Sequence, residues 1–172
     1  MMHRAEFEQW VARPVEEVFL FFANPGNLPR IMPPWMRVEL LELKVTAPPG
    51  VQEVTATVAD GPPFAGAGSE LFASYRVIPV LPFRAVSAAR ITAFAMNKYF
   101  EDIQTRGPFQ SWHHRHEFRP EVRDGTAGTL VRDVIEYEVG FGKLGDLAQR
   151  LFVAPQLRRT FQYRQRALAK LL

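Results

Sequence analysis

The sequence predicts an α+β fold in which a curved antiparallel sheet of about six or seven strands wraps around one long C-terminal helix. Extended segments separated by turn signals fill residues 69–139, and a helical spacing of apolar residues begins at Lys143. The long helix must bury its apolar side, and the sheet is the only large surface that can cover it. Residues 1–172 are therefore expected to form a single domain of ordinary size.

The first 45 residues predict a strand, two short helices and a second strand. The stretch "AEFEQWVA" alternates in polarity, as a strand does. Pro14 suits the first turn of a helix, and apolar residues then recur at i, i+3, i+4 and i+7: Val15, Val18, Phe19 and Phe22. Asn24-Pro25 ends this helix, because a residue before proline avoids the helical region. One more short turn over "PGNLPRIMPP" precedes an extended stretch from Trp35 to Val45.

The segment 46–68 is the least regular part of the chain, because it is rich in Gly, Pro and Ala. A connection of this length inside one domain is typical of a functional loop, and "VQEVTATV" could form a short strand within it. Five extended segments follow at about 69–79, 84–96, 98–106, 109–121 and 128–139. Asp124-Gly125 predicts a tight hairpin between the last two.

The C-terminal segment predicts a helix with one interruption. Its apolar residues follow helical spacing: Leu144, Leu147, Leu151, Ala154, Leu157, Phe161 and Leu168. Pro155 lies inside this pattern and predicts a kink or a restart. The segment 46–68 and this kink are candidates for the entrance of a cavity between sheet and helix. Residues 143–172 also carry seven basic groups against the single acid Asp146, which indicates a solvated face or a site for anions.

Composition excludes several classes of function. The chain has no cysteine, so disulfides, thiol catalysis and cysteine-ligated metals are excluded. It has no apolar run of about 18 residues and no signal-peptide pattern at its start, so a cytoplasmic protein without a transmembrane segment is expected. The glycine-rich stretch "ADGPPFAGAGS" lacks the Lys-Ser/Thr pair of a phosphate loop, and no nucleic-acid motif is present. No cofactor, no metal and no nucleic-acid partner are therefore expected.

Three of the four histidines lie within eight residues, "SWHHRHEF" at 111–118. Alternate side chains of a strand share a face. One face then holds Trp112, His114, His116 and Phe118, and the other is charged and should meet water. The hairpin brings a neighbouring strand whose matching face includes Asp133 and Tyr137, and the preceding strand can add Phe100, Asp102 and Gln104. The inner wall is therefore predicted to carry polar groups among aromatic rings.

Four interpretations of the two inward histidines remain open at this stage. His114 and His116 could bond Asp133 and organise the sheet interior. They could instead orient the polar end of a ligand in a mostly apolar pocket. One of them could act as a base, with Asp133 as its orienting group. A His-x-His pair could also bind a metal ion, but this requires a third ligand, and Asp133 could serve only in a suitable register.

Several motifs resemble the START/polyketide-cyclase (SRPBCC) superfamily, whose fold is called the helix-grip fold. The stretch "RPVEEVFLFFANPGNLPRIMPP" resembles its first helix and the following turn. "YFEDIQTRGPFQSWHHRHEF" is similar to its paired strands around a Gly-Pro-aromatic corner, and "GTLVRDVIEYEVGFGKLG" to its last strand and the glycines before the final helix. The resemblance implies binding of apolar small molecules or lipids, with enzymes in some branches.

The expected function is the binding of a hydrophobic small molecule or lipid in the cavity between sheet and helix. The expected ligand-binding residues are Phe100, Asp102, Gln104, Trp112, His114, His116, Phe118, Asp133, Tyr137, Leu151 and Phe161. One alternative is an aromatase/cyclase- or dehydratase-type enzyme, with catalytic candidates His114, His116 and Asp133. Another is a module that docks on a protein or an anionic membrane through the basic helix. The sequence predicts no oligomeric state.

Overall fold

The computed structural model of the chain describes residues 1–48, 64–77 and 83–172. In this part of the chain, seven strands form one antiparallel sheet in the order β1-β7-β6-β5-β4-β3-β2. The strands are β1 (His3–Val11), β2 (Glu39–Lys44), β3 (Glu70–Arg76), β4 (Arg84–Ala95), β5 (Tyr99–Arg106), β6 (Ser111–Arg123) and β7 (Thr126–Glu138). The α+β helix-grip architecture that the sequence predicts is confirmed.

The helices are short after the first strand and long at the C-terminus. Their bounds are α1 (Val15–Ala23), α2 (Leu28–Ile31), α3 (Gly142–Ala148) and α4 (Ala154–Leu171). A π turn, Gln149–Val153, joins α3 to α4. Pro155 lies in the first turn of α4, directly after the π turn, and the backbone stays helical through this junction, so the interruption takes the form of a change in the helical repeat. Among the described residues, no helix combines the length and the apolar character needed to cross a membrane.

The hairpin between β6 and β7 determines which residues face each other at the centre of the sheet. Arg123 pairs with Thr126 across a two-residue loop. Both loop residues have positive φ, 48° at Asp124 and 76° at Gly125, which matches the right-handed twist of the strands. Counting back along the pair from this turn places His116 opposite Asp133.

The core lies between α1 and the central strands. Phe19 is fully buried and meets the rings of Phe94, Phe100 and Phe118 edge to face. A second cluster, around Ile135, lies closer to the last helix and includes Tyr137 and Phe161. These two apolar clusters border the polar residues of the inner wall.

The extended stretch predicted from Trp35 to Val45 is too long. Pro34–Met36 forms a 3₁₀ turn, and Arg37 then adopts a left-handed conformation with φ of 45°. Pro33 and Pro34 fix their φ angles near −65° and donate no hydrogen bond to a strand. The strand β2 therefore begins only at Glu39.

The prediction that the whole apolar stripe of the last helix packs on the sheet is wrong for its first half. Leu144, Leu147 and Leu151 are exposed, whereas Leu157 and Phe161 pack in the core. The π turn adds one residue to the helical repeat and rotates the following face by about 100°. The two halves of the stripe therefore cannot face the sheet together.

The predicted entrance loop and its possible strand "VQEVTATV" fall on residues 49–63, which lie outside the described residues. The end of the predicted segment 69–79 also lies partly outside them, in 78–82. Residues 65 and 66, which follow this range, are held by backbone hydrogen bonds. Gly66 N donates to Thr46 O at 2.9 Å, and Ala65 N donates to Ala23 O at 3.0 Å.

Candidate functional site

Three neighbouring strands bring four polar side chains together on the inner face of the sheet. Asp102 on β5 lies opposite His114 on β6, and His116 on β6 lies opposite Asp133 on β7. Both histidines and Asp133 are buried, and Asp102 is partly buried. We call these four residues the polar cluster.

Asp133 is the centre of the polar cluster. Its Oδ1 lies 3.0 Å from His114 Nε2 in a hydrogen bond and 2.6 Å from His116 Nδ1. The second contact is close, but its direction does not satisfy hydrogen-bond geometry, so His116 Nδ1 is buried without an aligned partner. On the other side, His114 Nδ1 lies 3.8 Å from Asp102 Oδ2, beyond hydrogen-bond distance. The two imidazole rings are 3.9 Å apart between centroids.

The charges of the polar cluster follow from burial and from its neighbours. Burial alone would raise the pKa of Asp133, but the close contact with His116, the hydrogen bond from His114 and the guanidinium of Arg164 outweigh it and hold that pKa well below its usual range. Burial lowers the pKa of His114, and the nearby His116 lowers it further. Burial also lowers the pKa of His116, and it raises the pKa of Asp102. Asp133 is therefore ionised at neutral pH while the imidazoles favour their neutral form.

Arg164 on α4 belongs to this site, and it is one of the seven basic residues that the sequence predicts to form a solvated face or a site for anions. Its charge acts on the carboxylates of Asp102 and Asp133. Together with Asp133, it lines a cavity of ≈ 10 Å³, room for about one water molecule. Arg164 follows Phe161 by three residues and precedes Leu168 by four, so helical spacing alone could have placed it on the inward face.

Aromatic side chains surround the polar cluster, as the sequence analysis expected for several of them. The ring centroid of Phe100 lies 4.4 Å from that of His116. The rings of Phe161 and Trp112 lie 5.8 Å and 6.2 Å from that of His114. Tyr137 stands beside Trp112, with 5.9 Å between ring centroids. These rings form an apolar border around a small polar centre.

Three other expected ligand-binding residues lie apart from this arrangement. Leu151 is 58% exposed, because the π turn rotates it away from the sheet. Gln104 donates a hydrogen bond of 2.8 Å to Phe109 O and so holds the turn between β5 and β6. Phe118 packs against Phe19 and belongs to the core under α1.

We expect the protein to lose stability as the pH falls below about 6.5, the ordinary pKa of histidine. In the folded protein the pKa values of His114 and His116 are lowered, so the unfolded chain takes up protons that the folded chain does not. The lowered pKa of Asp133 also reduces the free energy of unfolding once the pH falls below 3.8, the ordinary pKa of an aspartate. Asp102, whose pKa is raised, acts in the opposite direction.

Urea unfolding followed by tryptophan fluorescence between about pH 7.5 and about pH 5 measures this dependence. The free energy of unfolding should decline over that range, and the His116→Gln variant should show a shallower decline. A flat profile for the unaltered protein would show that the histidines titrate as they do in the unfolded chain.

Comparisons with known proteins agree with the fold. A family model described as polyketide cyclase / dehydrase and lipid transport matches residues 11–165, which is most of the chain. No curated protein matches the sequence. Three similar solved structures have low sequence identity to this chain, so they show the fold alone.

The chain is 16% identical to TTHA0849 from Thermus thermophilus, with a TM-score of 0.63 and coverage of 98% of this chain and 95% of that one. It is 14% identical to Ms6760 from Mycobacterium smegmatis, with a TM-score of 0.60 and coverage of 98% and 89%. It is 13% identical to a norcoclaurine synthase point mutant from Thalictrum, solved in complex with a transition-state analogue, with a TM-score of 0.61 and coverage of 99% and 94%.

Proposed function

The chain belongs to the polyketide cyclase / dehydrase and lipid transport family, and we propose that it binds a hydrophobic small molecule or lipid between its sheet and its C-terminal helix. The observation that carries this proposal is the composition of the inner wall. Aromatic rings there surround a compact cluster of buried polar side chains. Small-molecule sites in proteins have this composition, with apolar walls and a few convergent polar groups that orient the ligand.

The polar cluster supplies the groups that would orient such a ligand. Asp133 accepts a hydrogen bond from His114 and closely contacts His116, so it holds the histidine side of the cluster. Asp102 retains 19% of its side chain exposed and makes no hydrogen bond to another described residue. A hydroxyl group of a ligand could donate to Asp102 while its apolar body packs on the partly exposed Trp112. This arrangement favours a molecule with one polar end.

Thermal denaturation in the presence of a panel of lipids and aromatic polyketides tests the proposal. We expect one chemical class to raise the melting temperature of the unaltered protein, and Trp112→Ala to abolish that shift. His113→Gln is the matched control, because His113 lies on the same strand but faces outward toward Glu101. No shift with any member of the panel, or an equal loss in the control variant, would contradict the proposal.

The same panel distinguishes a binding protein from an enzyme of the cyclase or dehydratase type. His114 is held by Asp133 through Nε2, which is how a base is oriented in acid–base catalysis. If the protein is a carrier, His114→Gln should weaken the binding of the ligand. If it is an enzyme, the variant should still bind the ligand but no longer convert it, which mass spectrometry of the reaction mixture would detect.

A second candidate function is contact with an anionic membrane surface, and the exposed face of the helix favours it. Large apolar side chains of α3, the π turn and the residue before α3 are exposed to solvent: Phe141, Leu144, Leu147, Leu151 and Phe152. Lys143 and Arg150 lie among them, and this mixture of apolar and basic groups is typical of helices that bind the membrane interface. Co-sedimentation with vesicles containing phosphatidylserine tests it.

Binding to these vesicles should weaken as salt is added and should be lost in the Phe141→Ser variant, in which an 86% exposed ring is removed. Val122→Ser is the matched control, because Val122 is also exposed but lies at the end of the β6–β7 hairpin. Equal binding by both variants would exclude this face as the membrane contact.

A further inference from the structure

We propose that Asp102, His114 and His116 bind one divalent transition-metal ion, for which Zn²⁺ is the most suitable probe. One potential ligand atom from each of these residues lies within 4.8 Å of the other two. The sequence analysis disfavoured a metal because the His-x-His pair needs a third ligand. The structure places the carboxylate of Asp102 in that position, directly across from His114 on the neighbouring strand.

The three side chains are held by a rigid part of the fold. Asp102 lies on β5 and both histidines lie on β6, in the centre of the sheet. The strand period of two puts His114 and His116 on the same face, and the strand register adds Asp102 to it. Sites built on strands are more precise than sites built on loops. Zinc bonds of about 2.0–2.2 Å require the ligand atoms to lie closer together, so side-chain rotations would complete the site.

Asp133 provides the support that metal-binding histidines need. In most such sites, the ring nitrogen that does not bind the metal contacts a carboxylate, a backbone carbonyl or a water molecule, which fixes the orientation of the ring. Asp133 Oδ1 contacts Nε2 of His114 and Nδ1 of His116. This leaves the other nitrogen of each ring, and His114 Nδ1 is the one on the Asp102 side. Asp133 thus holds the ring of His114 by a hydrogen bond and contacts the ring of His116, which leaves one nitrogen of each ring for the metal.

Charge also favours a cation in this position. Two carboxyl groups, those of Asp102 and Asp133, and one guanidinium, that of Arg164, lie in this largely buried place, so acidic groups outnumber the basic one. A buried charge without a partner is costly. The carboxyl group of Asp102 makes no hydrogen bond to another described residue, and a metal ion would supply a partner for it. Two imidazoles and one carboxylate, with further positions open to water or a ligand, are a common zinc donor set.

The chemistry of the donors limits which metal would bind. The chain has no cysteine, so a site with thiolate ligands for Cu(I) or an iron–sulfur cluster is excluded. Imidazole and carboxylate suit Zn²⁺ and Co²⁺. Bound Co²⁺ absorbs visible light, so it reports on its own ligands and needs no organic ligand in the experiment.

The test uses the full chain after dialysis against EDTA. Titration with Zn²⁺ by calorimetry should give one site per chain, and Co²⁺ should produce a visible absorption band that Zn²⁺ removes. We expect Asp102→Ala and His116→Gln to weaken Zn²⁺ binding by about 100-fold or more. Asp133→Asn should weaken it by about 10-fold, because Asp133 positions both rings without binding the metal.

His113→Gln is the matched control, because it removes an outward histidine of the same strand that contacts Glu101 and Glu136. Its affinity for Zn²⁺ should equal that of the unaltered protein. Three results would each overturn the proposal: no Zn²⁺ binding, binding that survives in Asp102→Ala, or binding that is lost in His113→Gln. Circular dichroism of each variant shows whether it is folded, and Asp102→Ala is expected to fold because it removes a carboxylate whose burial is unfavourable.

The metal site and the proposed binding function can fail separately. Co²⁺ absorption measures the metal without any lipid or polyketide. The thermal shifts of the ligand panel, recorded with and without EDTA, measure the ligand without requiring a metal.

Discussion

Replacing Asp133 with asparagine is expected to lower the free energy of unfolding by about 3 kcal/mol. The carboxylate of Asp133 is the shared partner of two buried imidazoles, at 3.0 Å from His114 Nε2 and 2.6 Å from His116 Nδ1. It is also a counter-charge for Arg164 on the last helix. The amide has no charge, so it weakens all three interactions while the partner groups remain buried.

Urea unfolding of EDTA-treated protein at neutral pH measures this loss. The matched control is Asp102→Asn, the same substitution in the same cluster. Because burial raises the pKa of Asp102, its ionised form is unfavourable in the fold, and the control should be as stable as the unaltered protein or more stable. If the Asp133→Asn variant were as stable as the Asp102→Asn variant, Asp133 would not be the centre of the polar cluster.

Replacing Phe19 with alanine is expected to lower the free energy of unfolding by about 3–5 kcal/mol. Phe19 is 0% exposed, and its ring meets three others at centroid distances of 5.3 Å for Phe94, 6.1 Å for Phe100 and 5.1 Å for Phe118. Its loss removes buried apolar contact and leaves a cavity between α1 and the sheet. The same helix places Phe22 near His116, with 5.6 Å between ring centroids, so a shift of α1 should also disturb the inner wall.

Chemical denaturation quantifies this effect, with Leu20→Ala as the control. Leu20 is the next residue of the same helix and is 37% exposed, so its removal should cost about 1 kcal/mol or less. Equal losses for the two variants would mean that α1 is not anchored to the sheet through Phe19.

The arrangement of the inner wall was largely predictable because strands and hairpins follow simple periods. The alternation of "SWHHRHEF" assigns His114 and His116 to one face and His113 to the other. Asp124-Gly125 predicts a two-residue turn, and such a turn fixes the register of both strands. That register puts Asp133 opposite His116, which is the pairing in the structure.

The parts that could not be predicted depend on contacts between distant segments or on a change of helical phase. The π turn before Ala154 has no sequence signal beyond Pro155, and it is the reason that Leu151 faces solvent while Phe161 faces the sheet. Arg164 was counted with the basic residues of the helix, since charge alone does not show that an arginine faces a buried aspartate. The distance between Asp102 and the two histidines depends on the register of β5 and β6. The sequence does not fix this register, because the connection between these strands has no turn signal as specific as Asp124-Gly125.

Binding of an apolar ligand at the inner wall is the central claim, and native mass spectrometry of the purified protein tests it most directly. The protein is measured as purified and again after incubation with the lipid and polyketide panel, and any bound compound is extracted and identified. We predict an added mass from a hydrophobic compound that is present in His113→Gln and absent in Trp112→Ala. A single ligand-free mass under both conditions, or a bound compound that Trp112→Ala retains, would contradict the claim.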